Sequence, residues 1–157
     1  MGRFIGAFAH SLALSLGAGL SPVWPGTVGA VVGLAVALPF ALSGILAKLA
    51  MLAVLFAVGV WASAYVARLR GIDDPQEVVI DETFGAAAVV LFLPAGLLWW
   101  IAGFLAFRFF DINKTWPINR LQDEVKGGLG IMLDDAGAAL WSLAVLVPLA
   151  WALGAYP

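Results

Sequence analysis

The sequence predicts an all-α membrane protein, a compact polytopic helical bundle with short hairpin helices and its polar loops gathered on one face. Three observations carry this. Hydrophobic residues make up 63% of the chain and charged residues 11%, far from the roughly 25% charged content of soluble domains. Long stretches are almost uncharged: residues 4–47 contain only His10 as an ionisable side chain, and residues 83–107 and 136–157 contain no Asp, Glu, Lys, Arg or His. All ten acidic residues fall in two windows, 73–82 and 111–135. Carboxylates in so apolar a chain must sit where water, a cation or bound phosphate satisfies them, because burying an unpaired carboxylate is prohibitive. The acids therefore mark the working site.

The elements follow from where the breakers sit. Met1-Gly2-Arg3 before an apolar run superficially resembles a signal peptide, but no small-residue cleavage site is cleanly defined, so the segment is read as mature sequence. Residues 4–16 form an apolar segment that either spans or lies at the interface. Residues 17–25 (GAGLSPVWP) are a Gly/Pro loop, and residues 27–38 a helix ending near Pro39 and Ser43-Gly44. Residues 45–70 read as one helix about 39 Å long, enough to cross a hydrocarbon layer about 30 Å thick. Residues 71–81 are a polar loop.

The next apolar run decides the mechanism. Leu93-Pro94-Ala95-Gly96 interrupts it and predicts a turn between helices near residues 84–92 and 97–110. A single crossing would put the acidic windows on opposite faces of the membrane; the hairpin puts both on one face, together with the 17–25 loop and the start of the last helix. Six of the eight basic residues (Arg68, Arg70, Arg108, Lys114, Arg120, Lys126) flank those windows, and the positive-inside tendency assigns that face to the cytoplasm. The opposite surface has Lys48 as its nearest charge. Residues 1–157 form a single domain. The chain has no cysteine, hence no disulfide framework or thiolate nucleophile.

Three polar constellations carry chemistry. Asp81-Glu82 precedes a helix and follows Asp73, Asp74 and Glu77, a solvated acidic loop; helix capping would account for the pair as well as catalysis would. Arg108, Asp111 and Lys114 recur every three residues at a helix end before Trp116-Pro117, compatible with a structural ion-pair ladder. The third runs from Asp123 and Glu124 through Lys126-Gly127-Gly128-Leu129-Gly130 to Asp134-Asp135 at a helix start. Its glycines allow backbone amides to face a phosphate, or a plain hinge. Thr27, beside Pro25-Gly26, either caps a helix or lies near phosphate. His10 reads as a packing or interfacial side chain, and Trp99, Trp100, Trp116, Trp141 and Trp151 as interfacial anchors or packing.

Carboxylates without His or Cys partners favour a hard cation such as Mg²⁺. Arg108, Lys114, Arg120 and Lys126 would balance a phosphate, so a phosphomonoester at a membrane surface is the expected substrate. A lone histidine excludes paired-histidine lipid phosphatase chemistry, and the absence of cysteine excludes a cysteinyl-phosphate. Metal-activated water or an aspartyl-phosphate remains; no D-x-D-x-[TV] box is present, which favours water. A nucleic-acid partner is not expected, and nothing in the chain reads out oligomeric state. The competing class is a non-enzymatic small transporter or assembly protein with a cation-binding acidic surface, disfavoured because the apolar runs lack a polar path. A headgroup transferase would need the D-G-x-x-A-R signature, which is absent.

These blocks resemble the phosphatidylglycerophosphatase A family: Gly19-Leu20-Ser21-Pro22 with Pro25-Gly26-Thr27-Val28-Gly29, Ile80-Asp81-Glu82 with Gly85, and Phe107-Arg108 through Asp111, Lys114, Pro117-Ile118 and Asp123 to Gly127-Gly128-Leu129-Gly130-Ile131-Met132-Leu133-Asp134-Asp135. The likeness covers residues 17 to about 137. It implies a Mg²⁺-dependent phosphatase of the bacterial inner membrane that converts phosphatidylglycerophosphate into phosphatidylglycerol. It also implies Asp81, Glu82, Asp111, Asp134 and Asp135 as metal or catalytic carboxylates, with the metal on Glu82, Asp111, Asp134 and Asp135. Arg108 and Lys114 are implied on phosphate, beside Thr27 and Lys126. Thr115 and Ala30 depart from the family's pattern, and neither removes a charged group.

Overall fold

The computed structural model describes residues 2–113 and 125–156, and every described secondary-structure element is helical. Helix α1 (Gly2–Ala13) leads through a 3₁₀ segment (Ser15–Leu20) to α2 (Pro25–Ala37), which continues as a 3₁₀ turn (Leu38–Phe40). Then come α3 (Ile45–Arg70), α4 (Ile80–Phe92), α5 (Leu97–Asn113) and α6 (Gly127–Ala152). Helices α3 and α6, 26 residues each, are long and apolar enough to cross a membrane. At 12 residues α1 is about 18 Å long, too short to span, which answers the alternative left open for residues 4–16.

The hairpin forms at Leu93–Gly96 as expected, but α4 begins at Ile80, four residues before the expected 84. Asp81 and Glu82 are therefore in the helix's first turn instead of ahead of it. Helix α4 lies at the centre, packed by α2, α3, α5 and α6. Ten of its 13 residues are buried, among them Gly85, Ala86, Ala87 and Ala88, whose small side chains let the neighbours approach. On α2, Gly33 abuts the Thr83 carbonyl, and a Cβ there would overlap it. Thr83 Oγ1 lies 2.9 Å from the Gly29 carbonyl and 2.6 Å from Ser15 Oγ, tying α2 and the 3₁₀ segment to α4.

A buried 13-residue helix leaves its last carbonyls without intrahelical partners, a heavy cost away from water. Two side chains satisfy the last two. Lys48 Nζ donates to the Leu91 carbonyl at 2.9 Å, and Tyr156 Oη donates to the Phe92 carbonyl at 2.7 Å. The ammonium also opposes the negative end of the α4 dipole. Lys48, far from both acidic windows, thus anchors the far end of the helix that carries Asp81 and Glu82.

Candidate active site

The described parts of both acidic windows reach the same end of the bundle because α4 and α5 turn back at Pro94. One oxygen each from Asp81, Glu82 and Asp135 lies within 4.8 Å of the others. Arg108, on α5, hydrogen-bonds Asp111 one turn on, and its Nη1 is 3.9 Å from Glu82 Oε1. Asp81 is 8% exposed and Asp135 3%. Asp81 Oδ1, Glu82 Oε2, Asp135 Oδ2 and Arg108 Nε are buried without a hydrogen-bond partner. Orphaned oxygens at this depth need a cation or a proton.

Helix α4 is too short to cross, and its first turn sits at the polar end. There burial pushes the Asp81 carboxyl well above the ordinary carboxylate range, with the charges of Glu82 and Asp135 adding to it. Burial raises Glu82 as well, opposed by its hydrogen bond to Asp81 and by Arg108. A hard divalent cation fits this donor set, which is all oxygen, converging and short of positive charge.

Opposite the carboxylates stands the start of α2. Trp24 has φ 48 and ψ 58, a left-handed conformation, and Pro25 occupies the first helical position. No side chain caps α2, so its first-turn amides are available to an anion. Gly26 lies against Glu82 Oε1 and Arg108 Nη1, where a Cβ would overlap the carboxylate. A cleft of about 680 Å³ runs between α2 and α5, with Thr27, Asp81, Glu82, Arg108, Asp111, Asp134 and Asp135 in its wall. A smaller cavity of about 300 Å³ shares Asp74, Asp81 and Asp134 with it and is bounded by Asp73 and Lys126.

The sequence model of the family described as Phosphatidylglycerophosphatase A matches residues 11–150. The chain is 35% identical to Phosphatidylglycerophosphatase A of Escherichia coli (strain K12), covering 92% of this chain and 86% of that protein. It is also 35% identical to Phosphatidylglycerophosphatase A of Haemophilus influenzae, over 87% of this chain and 85% of that one. The chain belongs to the phosphatidylglycerophosphatase A family. A Bacteroides thetaiotaomicron protein named Putative phosphatidylinositol-3-phosphatase is 36% identical over 88% of this chain and 91% of its own length. No solved structure matches. Membership in the phosphatidylglycerophosphatase A family makes the chain a phosphatase, a phosphoric monoester hydrolase.

Of the site residues expected for such a phosphatase, Thr27, Asp81, Glu82, Arg108, Asp111, Asp134 and Asp135 all line the one cleft. Lys126 does not: it borders the smaller cavity, 64% exposed, with Nζ 4.0 Å from Asp73. Lys114, Arg120, Thr115, Trp116, Pro117, Ile118, Asp123 and Glu124 lie outside the described residues. Asp134 and Asp135 are not at a helix start as expected. The helix already begins at Gly127, so they lie two turns inside it, where a side chain has no free amide to cap. The Gly-rich stretch is accordingly the first turn of α6 and not a hinge before it.

Two participants escaped sequence reasoning. Asp74, expected in a solvated loop with Asp73 and Glu77, lines both cavities, whereas Glu77 is held by Arg70 at 2.6 Å. Gly26 faces the carboxylates; its only signal was the Pro25-Gly26-Thr27 block itself.

Proposed function

We propose that this chain hydrolyses the terminal phosphomonoester of phosphatidylglycerophosphate to phosphatidylglycerol and inorganic phosphate, with Mg²⁺ held by Asp81, Glu82 and Asp135. The observation that carries the reading is the convergence of those three buried carboxylates, each with an orphaned oxygen, in a cleft that also holds Arg108 and an uncapped helix start. When bound, the ion would supply charge neutralisation at phosphorus and a more acidic water. Asp111 and Asp134, on the cleft wall, complete the acidic surround.

The residues divide the work by charge. Arg108 and the α2 first-turn amides, with the Thr27 hydroxyl, bind the phosphate oxygens. Asp111 accepts a hydrogen bond from Arg108 Nη1, the same nitrogen that faces Glu82, and so fixes the direction in which the guanidinium points. Water attacks phosphorus in line, the bond from phosphorus to the glycerol oxygen breaks, and that oxygen leaves with the proton that the attacking water gives up, passed through a carboxylate of the cleft wall.

The surrounding residues support an inner-membrane protein of several passes whose active face is cytoplasmic. Arg68, Arg70, Arg108 and Lys126 lie at the active end of α3, α5 and α6, and Lys48 at the opposite end of α3. The deciding experiment is phosphate release from phosphatidylglycerophosphate in detergent, with Mg²⁺ and with chelator. Release that depends on Mg²⁺ supports the reading, and release undiminished by chelation sinks the cation. Phosphatidylinositol 3-phosphate belongs in the same assay, because the Bacteroides relative bears that name. Preference for it would reassign the headgroup.

A further inference from the structure

The lining of the catalytic cleft is of two kinds. Beyond Asp81 and Asp134 it adjoins the smaller cavity, whose rim of Asp73, Asp74 and Lys126 is charged and suits water. Its wall also carries three uncharged side chains, Trp24, Phe104 and Ile112, the last two one turn to either side of Arg108 along α5. We propose that an acyl chain of the lipid substrate reaches the site sideways from the bilayer, through the seam between α2 and α5, lying against Phe104, Ile112 and Trp24. This rests on the lipid phosphatase reading above.

The seam's own geometry supports it. On α5, Phe104, Arg108 and Ile112 are spaced by four and so form one stripe, with Asp111 beside it. From Asp111 back to Phe104 is about 10 Å along the helix axis. One wall therefore passes from the ion pair at the polar end to an aromatic ring at hydrocarbon depth. The neighbouring side chains Ile101, Leu105 and Phe109 are exposed, which makes this side of α5 a lipid-facing surface.

Trp24 adds an independent observation. It is 76% exposed, yet its backbone holds a left-handed conformation that bulky residues rarely adopt. An indole so presented suits the boundary between headgroups and hydrocarbon. A phospholipid keeps both chains in the bilayer unless each methylene is paid for in water, so a lateral opening beside the phosphate site lets the headgroup enter while the chains stay in hydrocarbon.

The test uses the full chain in mixed micelles, with dioleoyl phosphatidylglycerophosphate and its monomeric dihexanoyl analogue. Three variants are compared with wild type: Ile112→Ser at an exposed rim position, Trp24→Asn, whose new side chain tolerates the left-handed backbone, and Phe104→Ala. The readout is the ratio of kcat/KM for the long-chain over the short-chain substrate, in which any loss of folded protein cancels. The ratio should fall about fivefold or more, mainly through the long-chain KM, as lost apolar contact requires. Ratios within about twofold of wild type in all three variants overturn the portal. Wild type that releases phosphate from neither substrate overturns the lipid phosphatase reading itself, so the two failures are distinguishable.

Discussion

Replacing Asp81 with asparagine should separate what the carboxylate cluster does for catalysis from what it does to stability. The ligand oxygens of Asp81, Glu82 and Asp135 are no more than 4.8 Å apart. At an effective dielectric of about 20, two unit charges at that separation repel by about 3.5 kcal/mol. Arg108, 3.9 Å from Glu82, offsets part of this, and a proton on Asp81 removes more. Asp81→Asn keeps the shape and deletes the charge, so in chelator the variant should melt at or above the wild-type temperature. The stabilising shift that Mg²⁺ gives wild type should disappear, because binding to the native state alone raises apparent stability. Turnover should fall by roughly two orders of magnitude or more. Thermal melts in matched detergent, with Mg²⁺ and with chelator, beside phosphate release, measure all three. A variant that melts lower in chelator while keeping both the Mg²⁺ shift and wild-type turnover would refute the electrostatic account.

The other expectations concern the scaffold and the pH. Gly26→Ala places a methyl against the mobile end of Glu82, so activity should drop about tenfold or more with little change in melting temperature. Gly33→Ala meets the rigid Thr83 carbonyl, so it should instead destabilise by about 1–3 kcal/mol, read by thermal melts. Lys48→Met removes the donor to the Leu91 carbonyl at the buried end of α4 and should cost about 1–3 kcal/mol, recorded as faster loss of folded protein in detergent. Because burial raises Asp81 and Glu82 above their ordinary values of 3.8 and 4.5, folding without a cation is penalised once those groups must ionise. Stability in chelator should therefore decline as pH rises above the ordinary carboxylate range, and Mg²⁺ should abolish the decline; a pH series of melts with and without the ion checks it.

Much of this was legible in the residues. The apolar runs, the break at Leu93-Pro94-Ala95-Gly96 and the confinement of every acid to two windows were enough to place both windows on one face, because a buried unpaired charge has nowhere else to go. The membership of Asp81, Glu82, Arg108, Asp111, Asp134 and Asp135 in one site followed from the same pattern and from the family resemblance. What the chain does not announce is local and three-dimensional. The helix starts at Ile80 and Gly127 were misplaced because tertiary packing, not a capping side chain, sets them: neither Val79 nor Lys126 makes a side-chain cap.

The linear order of residues determined the solvent this protein lives in, the hairpin and the chemical class of its site, since charge and hydropathy act on each segment separately. Only the tertiary structure decided which oxygens converge, that Asp74 joins the cleft while Glu77 turns to Arg70, and that Lys48 and Tyr156 close the far end of α4. Those outcomes depend on distances between elements far apart in the chain, and α2 can come close enough to fix Glu82 only because Gly26 has no side chain.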